Sequence, residues 1–528
     1  MKNEKTKDVD PKKLSEEGFA YLSNNNFSEA KIIFEKLISY FPKNIQLLNI
    51  LGFIYLQLDS YGQALKVYDE SFLLNEKQPE TLFNRAIVKS KLKKYEDALS
   101  DYDKLLEEEP NNLNIYVNKS SVYEDMNDYV QALFFINYAI SKEPKNSKFI
   151  ANRGNIYNET EKFDLAMKDY LLAIQLDPKN AELYSSLGTI LTKLGNYTAA
   201  IEAYNQAILL DKQMFKAHNN LSILLLARKE FKLGWKEYEY RWKFTEKPSL
   251  VKKIPEYSDL KGIDNLLIWG EQGIGDQIIY SSWLNDIPEN LKVTLAIDSR
   301  LNSIFKRSFP KINVINFSNI QDKHSYTGQI ALASMGRFLR GSLNSFKNQP
   351  IAFLKPDKNQ AEKYRNTLFK KNKLICGISW KSSNKKTGKN KSLTLNDLLE
   401  VLKIENISFV DLQYGNNESE KSSFEEKHSI SLNSIKNLDK FNDLNGLLSL
   451  IEACDFVVTS SNITAHLAGS IGKKTFLMAP YSVGQLWYWH GDKQSIWYPS
   501  ITIFRQSRLG YWKDVVNNIK KEIRLNFL

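Results

Sequence analysis

A chain of 528 residues is long enough for several domains, and 42% hydrophobic with 12% aromatic residues gives each a core to bury, which excludes a disordered chain. The net charge of +11 admits anionic ligands, but no nucleic-acid motif accompanies it and the aromatics fall mostly at periodic positions, so no nucleic-acid partner is expected. Two cysteines, Cys376 and Cys454, lie in apolar runs with no spaced framework, which predicts buried reduced thiols in a cytoplasmic protein.

Residues 1–10 form a charged tail without an apolar segment of the kind a secretory signal needs. No run approaches 18 apolar residues, so no transmembrane segment is expected. From Pro11 a pattern of 34 residues repeats six times. Its eighth position is small (Gly18, Gly52, Ala86, Ser120, Gly154, Gly188) and its twentieth is always Ala (Ala30, Ala64, Ala98, Ala132, Ala166, Ala200). Four residues later stands an aromatic or Ile (Phe34, Tyr68, Tyr102, Ile136, Tyr170, Tyr204), and Pro42, Pro110, Pro144 and Pro178 close four of the units. Apolar residues such as Ile150, Gly154 and Tyr157, then Ala166, Tyr170 and Ala173, recur at helical spacing, so each unit reads as two packed helices. Pro stops the second helix because it lacks an N–H. The pattern resembles the tetratricopeptide repeat and predicts a solenoid with a concave face. A seventh, divergent unit begins at Phe215, with Gly234 and Tyr238 in register and Trp235 and Trp242 added, and ends the array near residue 248. Its tryptophans are expected to dock the array on the C-terminal half of the chain.

The signature residues are packing positions. Binding would fall to polar residues of the inner helices: Asn84, Arg85, Lys89, Asn118, Lys119, Asn152, Arg153 and Ser185. These either hydrogen-bond an extended peptide or form a solvated face. Asp101-Tyr102-Asp103 looks like a metal-binding Asp-x-Asp, but Tyr102 is a packing position of the third repeat, and the reading is rejected.

After a linker at 249–263, marked by Pro255 and Gly262, the period changes. Leu266–Trp269, Val293–Ile297 and Asn313–Phe317 read as buried strands, with a helix from Gln277 to Leu284. A second set lies at Leu374–Trp380, Ile407–Leu412, Phe456–Thr459 and Thr475–Met478, with a helical pattern at Leu447–Ala453. Strands alternating with helices predict two parallel, Rossmann-like lobes, 264–357 and 372–528, with a ligand cleft outside the carboxyl ends of the strands. From Lys363 to Asn396 there are ten Lys or Arg and no acidic residue, a solvated face or a site for a phosphorylated ligand.

The loop Gly270-Glu271-Gln272-Gly273-Ile274-Gly275-Asp276 comes after the first strand and opens a helix, where backbone N–H groups favour an anion. Together with Cys376–Trp380, Lys391-Ser392-Leu393, Asp411-Leu412-Gln413, Ala465–Gly469, Trp497-Tyr498-Pro499 and Phe504-Arg505-Gln506, it resembles the heptosyltransferase-like glycosyltransferases of the GT-B fold. These occur fused to tetratricopeptide repeats in bacterial protein O-glycosyltransferases. The resemblance implies a sugar moved from a nucleotide-activated donor to a hydroxyl of an acceptor, with the nucleotide sugar bound as substrate in the C-terminal lobe and the acceptor protein held by the repeats. It implies no metal and no cofactor, since basic residues and helix dipoles can stabilise the leaving group.

By the same resemblance Asp276 is the base, although a carboxylate there also suits a helix first turn. Gly273 and Gly275 shape its loop. Lys391 and Ser392, with Lys381, would contact the diphosphate. Gln413 would lie near a ribose or base, and His466 would meet a phosphate or bond locally. One departure stands out: Ser461-Asn462 replace the family's Asp-Thr, removing a carboxylate that grips a sugar hydroxyl. Two alternatives stand beside this reading: a repeat scaffold whose transferase-like domain only binds or no longer works, or a transferase acting on a glycan or lipid acceptor.

Overall fold

Thirty-four residues hold two helices of 13 and 14 residues with two short turns, and the computed structural model shows that alternation from Pro11 onward. It describes residues 10–257, 264–320, 325–370, 373–384 and 388–528. The chain divides into two units, Met1–Leu183 and Tyr184–Leu528.

In the first unit the helices run Pro11–Ser23, Phe27–Tyr40, Ile45–Gln57, Tyr61–Leu74, Pro79–Lys91, Tyr95–Glu108, Leu113–Asp125, Tyr129–Lys142, Ser147–Glu159 and Phe163–Leu176. The small eighth residue exists for the ring at position 24. A Cβ at Gly52 would sit 2.6 Å from Tyr68 Cε1, inside any allowed contact. Where position 24 shrinks to Ile136, Ser120 fits and its hydroxyl donates to Ala132 O at 2.8 Å.

The turn inside each repeat carries a feature the sequence pattern does not show. Its fifteenth residue is left-handed in every unit: Asn25, Asp59, Lys93, Asn127 and Glu161, with Gly195 and Lys229 further on. The next N–H reaches five residues back, as in Ser60 N to Tyr55 O at 2.8 Å and Lys94 N to Lys89 O at 2.9 Å, which satisfies carbonyls at the helix end. Glycine normally fills such a position, yet only one of these seven is Gly. Lys93→Gly is therefore expected to raise the stability of the first unit by about 0.5–1 kcal/mol, read by urea denaturation.

The expected peptide-binding cations Arg85, Lys119 and Arg153 are spent inside the array. Arg85 forks onto Asp101 at 2.9 and 2.8 Å and reaches Asp69 at 3.3 Å, with Lys89 on the same Asp101 at 2.7 Å. Arg153 forks onto Asp169 at 2.8 and 2.7 Å and reaches Asn137 at 3.0 Å, and Lys119 pairs with Asp103. One side chain thus ties a helix to its own partner and to the preceding repeat. Arg85→Ala strands a buried carboxylate with Lys89 as its remaining ion pair. It is expected to cost about 3 kcal/mol, read by the same denaturation. Asn118 bonds back to Asn114 O within its own helix.

The second unit holds two all-parallel sheets. The strands are β1 (Asn265–Trp269), β2 (Lys292–Ile297), β3 (Asn313–Asn316), β4 (Gly328–Ala331), β5 (Leu374–Ser379), β6 (Ile407–Asp411), β7 (Phe456–Ser460), β8 (Thr475–Ala479) and β9 (Ile501–Arg505). Their orders are β3-β2-β1-β4 and β6-β5-β7-β8-β9, with nearly every strand residue buried, as strands covered on both faces require. Strands β4 and β9 are absent from the sequence reading: the first, Gly-Gln-Ile-Ala, has no continuous apolar run, and the second carries the Phe504-Arg505 pair read as a tail motif. The expected helix after β1 is shorter, Ile274–Tyr280, and continues as a 3-10 turn at Ser281–Asp286.

The helical array ends close to the expected 248, with its last helix at Phe231–Tyr238, but the division between compact units falls earlier, after Leu183, within the sixth repeat. The reason is contact: Ser482 Oγ donates to Lys193 O at 2.6 Å, and Trp235 Nε1 donates to Arg340 O at 2.9 Å. Residues 249–257, expected as linker, lie against the first lobe. Val251 and Ile254 are buried beside Trp269, and Tyr257 N and Gln329 N bond across to Gln329 O and Pro255 O at 2.9 Å each. The rest of that stretch, with Gly262, lies outside the described residues, as do residues 1–9 of the expected tail. The chain has also reached the second lobe before residue 357, since Phe353 N and Leu354 N both donate to Ser470 O.

Candidate active-site cleft

In each sheet the strand order reverses beside the first strand, between β1 and β4 and between β5 and β7. Loops leaving such a point diverge and open a crevice. Here the two crevices face one another. A cleft of about 450 Å³ is lined from one lobe by residues 272–277 after β1 and Asp298 and Arg300 after β2. From the other lobe come residues 382–384 after β5, residues 461–463 after β7, Lys391, Tyr414, Lys440 and Tyr488.

Asp276 lies in the first turn of the helix Ile274–Tyr280, half-buried, and accepts from Gly273 N at 3.2 Å. Burial pushes its carboxyl up to about 6, against the pull of that N–H and of Lys391, with Glu271 adding to the rise. Lys391 reaches the cleft from the second lobe, 5% exposed. Burial lowers its ammonium from the ordinary value, and the Asp276 carboxylate resists the fall. Among the described residues no carboxylate lies within ion-pair distance of Lys391. A buried cation with no carboxylate in ion-pair reach among the described residues, facing a protonatable carboxylate across a cleft, can hold an anion beside a base.

Of the other expected site residues, Gly273, Gly275, Ser461, Asn462 and His466 line the cleft, while Lys381, Ser392 and Gln413 do not. Gly275 is where the lobes touch: a Cβ there would stand 2.8 Å from His466 Cδ2. His466 is fully buried, with Nδ1 3.0 Å from Tyr498 Oη and Nε2 3.3 Å from Tyr488 Oη. Burial pushes its imidazole down to about 3, so it is neutral and bonds locally. Lys381 turns away from the cleft and pairs with Glu420. Ser392 Oγ donates to Gly388 O at 2.7 Å and accepts from Ser382 N at 3.0 Å, which shapes the loop after β5.

Gln413 has no free valence for a ribose. Its Oε1 accepts from Ser379 Oγ, Trp380 N and Lys381 N at 3.0, 2.8 and 2.7 Å, and its amide donates to Tyr414 O at 2.9 Å. Asn462 caps the helix Ile463–Ser470 through Thr464 N at 2.9 Å and donates to Ser379 Oγ at 2.7 Å, while Ser461 accepts from Trp489 Nε1 at 2.8 Å. The Ser-Asn departure therefore builds the end of β7, and its polar atoms are already engaged.

Sequence reasoning missed Asp298, Arg300, Tyr414, Lys440 and Tyr488. The first two were within reach of the rule that led to Asp276, because they come after β2 as that loop comes after β1. Arg300 forks onto Asp298 at 2.9 Å twice and holds its carboxyl below the usual range. Lys440 pairs with the buried Asp411 at 2.7 Å. Among the described residues no group of three His, Cys, Asp or Glu is arranged to hold a metal ion, and no helix is long and apolar enough to cross a membrane.

The first unit has a separate groove of about 560 Å³ beside Phe19, Phe53, Tyr68, Glu80 and Asn84. Asn49 Oδ1 and Tyr68 Oη on its wall are buried with no hydrogen-bond partner among the described residues. Of the residues expected to bind a peptide, Asn84 lines this groove; Asn152 does not.

Family profiles match the helical half of the chain. A profile described as a TPR repeat matches residues 154–195, and profiles described as tetratricopeptide repeats match residues 181–214, 17–44 and 80–112. The chain carries tetratricopeptide repeats. Protein FlbA of Caulobacter vibrioides is 28% identical over 330 residues, which covers 57% of this chain and 54% of that protein. The chain thus spans about half the length of this curated relative. Among solved structures, a tetratricopeptide repeat protein from Parabacteroides merdae is 18% identical with a TM-score of 0.39, covering 46% of this chain and 96% of that one. A thermophilic TPR protein in Thermus thermophilus is 22% identical with a TM-score of 0.31, covering 35% and 100%.

Proposed function

We propose that this tetratricopeptide-repeat protein is a metal-independent glycosyltransferase that moves a sugar from a nucleotide donor to a hydroxyl of an acceptor protein. The observation that carries the reading is the cleft between two parallel sheets, with the Asp276 carboxyl on one wall and the buried Lys391 ammonium on the other. Asp276 takes the proton of the acceptor hydroxyl as the oxygen attacks the anomeric carbon. Lys391 stabilises the negative charge that grows on the departing nucleotide phosphate. The groove at the first three repeats, with its orphan Asn49 and Tyr68 oxygens beside Asn84, supports an extended peptide as the acceptor.

A scaffold with a merely binding domain is the competing reading. It draws support from the internal engagement of Gln413, Ser461 and Asn462. The full-length chain is to be mixed with UDP-, GDP-, ADP-, dTDP- and CMP-linked sugars, and nucleotide release monitored with and without a Ser/Thr-containing protein acceptor. Release stimulated by a protein acceptor supports the transferase. Binding of no nucleotide at all defeats it.

A further inference from the structure

We propose that Tyr238 and Arg241, which belong to the last repeat and not to either lobe, are positioning residues that hold the Glu271–Asp276 loop in its working shape. The inference rests on the transferase reading of the cleft.

The loop needs such support. Between the end of β1 at Trp269 and the helix starting at Ile274 it has no ladder to lock it, and Gln272 is held at φ +60°, a left-handed conformation that costs a non-glycine residue about 1 kcal/mol. The Gln272 amide donates to the Tyr238 hydroxyl, which is the contact that pins this strained residue. Its neighbour Glu271 is a buried carboxylate, 8% exposed. Arg241 forks onto it at 2.9 and 2.7 Å, and the same guanidinium is fixed by Ser334 Oγ at 2.7 Å, Glu239 Oε1 at 2.9 Å and Tyr238 O at 2.9 Å.

The platform behind these two side chains is rigid. Trp235, one turn earlier, is 1% exposed and packs edge-on against Tyr238, Trp283 and Trp487. Gly336 is required beneath it, since a Cβ there would lie 2.5 Å from Trp235 Cε2. Neither Tyr238 nor Arg241 lines the cleft, so neither can touch a donor sugar. Any effect they have on the reaction passes through the loop to Asp276. Lys391 stands on the other lobe and is not held by them.

This separation sets the test. Full-length wild type, Tyr238→Phe and Arg241→Lys are compared for affinity toward UDP, GDP and ADP, for the rate and KM of nucleotide release from the sugar panel, and for melting temperature. Phe keeps the ring packing and removes the hydroxyl alone; Lys keeps the charge and loses the fork. Each variant is expected to release nucleotide about tenfold more slowly at saturation, with nucleotide affinity and KM within about twofold of wild type. Equal release rates in all three proteins overturn the inference and leave the transferase reading standing. A lowered rate, weakened affinity and raised KM together with a lowered melting temperature also overturn it, because that is the mark of a structural role. A wild-type chain that binds nucleotide without releasing it from any sugar leaves no reaction for the loop to serve and overturns it as well. Failure of the wild type to bind any nucleotide defeats the transferase reading and the inference with it.

Discussion

Asp276→Asn is expected to slow sugar transfer by about 10²- to 10⁴-fold while nucleotide affinity stays within about twofold, the range for loss of a positioned general base. The base must be a carboxylate, and burial pushes this one up to about 6. The wild-type rate is therefore expected to be complete above pH 7 and to fall as pH drops through about 6, an acid limb that the Asn variant lacks. The same shift has a consequence of opposite sign for the fold. A folded-state value above the ordinary 3.8 means the native chain holds the proton more tightly than the unfolded one. Stability is thus favoured below about pH 4 and lost as pH rises toward 6. Asn carries no charge at any pH. Asp276→Asn is expected to stabilise the protein by about 1–2 kcal/mol at pH 7.5, the shift being discounted for solvent in the cleft. Thermal denaturation beside the rate measurement checks both: a variant that loses activity and stability together contradicts the assignment.

Lys391→Met is expected to weaken binding of nucleoside diphosphates by about 10- to 100-fold, the worth of a hydrogen bond to a charged group. Calorimetry with UDP, GDP and ADP reads it, and the weakening should shrink as salt rises. Burial lowers the Lys391 ammonium, so the native state holds this charge at a cost. That cost is present through neutral pH and is relieved only as alkali deprotonates the amine between its lowered and ordinary values. Met fills the same space without charge and is expected to raise the melting temperature at neutral pH. Loss of function with gained stability at both Asp276 and Lys391 would mark the cleft as a place where the fold tolerates strain for chemistry.

Much of the fold was legible because it is periodic. Seven of the nine strands stand where short apolar runs predicted them, and the repeat helices start and stop where the 34-residue pattern does. The misses share a cause. Strand β4 opens on Gly328 and Gln329 and so carries no apolar run, and β9 lies in a stretch read as a motif. In the site, the motif residues fell at the cleft or beside it, yet their roles were not readable. Gln413 and Lys381 are polar residues at strand ends, which fits ligand binding and loop bracing equally well. Only their partners, Ser379, Trp380 and Glu420, decide for bracing. Arg85, Lys119 and Arg153 carry the same ambiguity in the sequence, because their carboxylate partners lie sixteen residues away on other helices.

The sequence by itself determined the elements: a helix pair every 34 residues and strand–helix units from Leu266 onward. A period of 3.6 residues, short continuous apolar runs and obligatory small or helix-ending residues act over a few neighbours, so they can be read from one chain. The tertiary structure alone decided which polar side chains are spent and which are free. An ion pair or an orphan cation is a property of distance, and distance between residues 241 and 271, or 276 and 391, is set by packing. It also decided where one unit ends and the next begins, because Trp235 buries against the first lobe and Lys193 O accepts from Ser482, which carries the last repeats with the lobes.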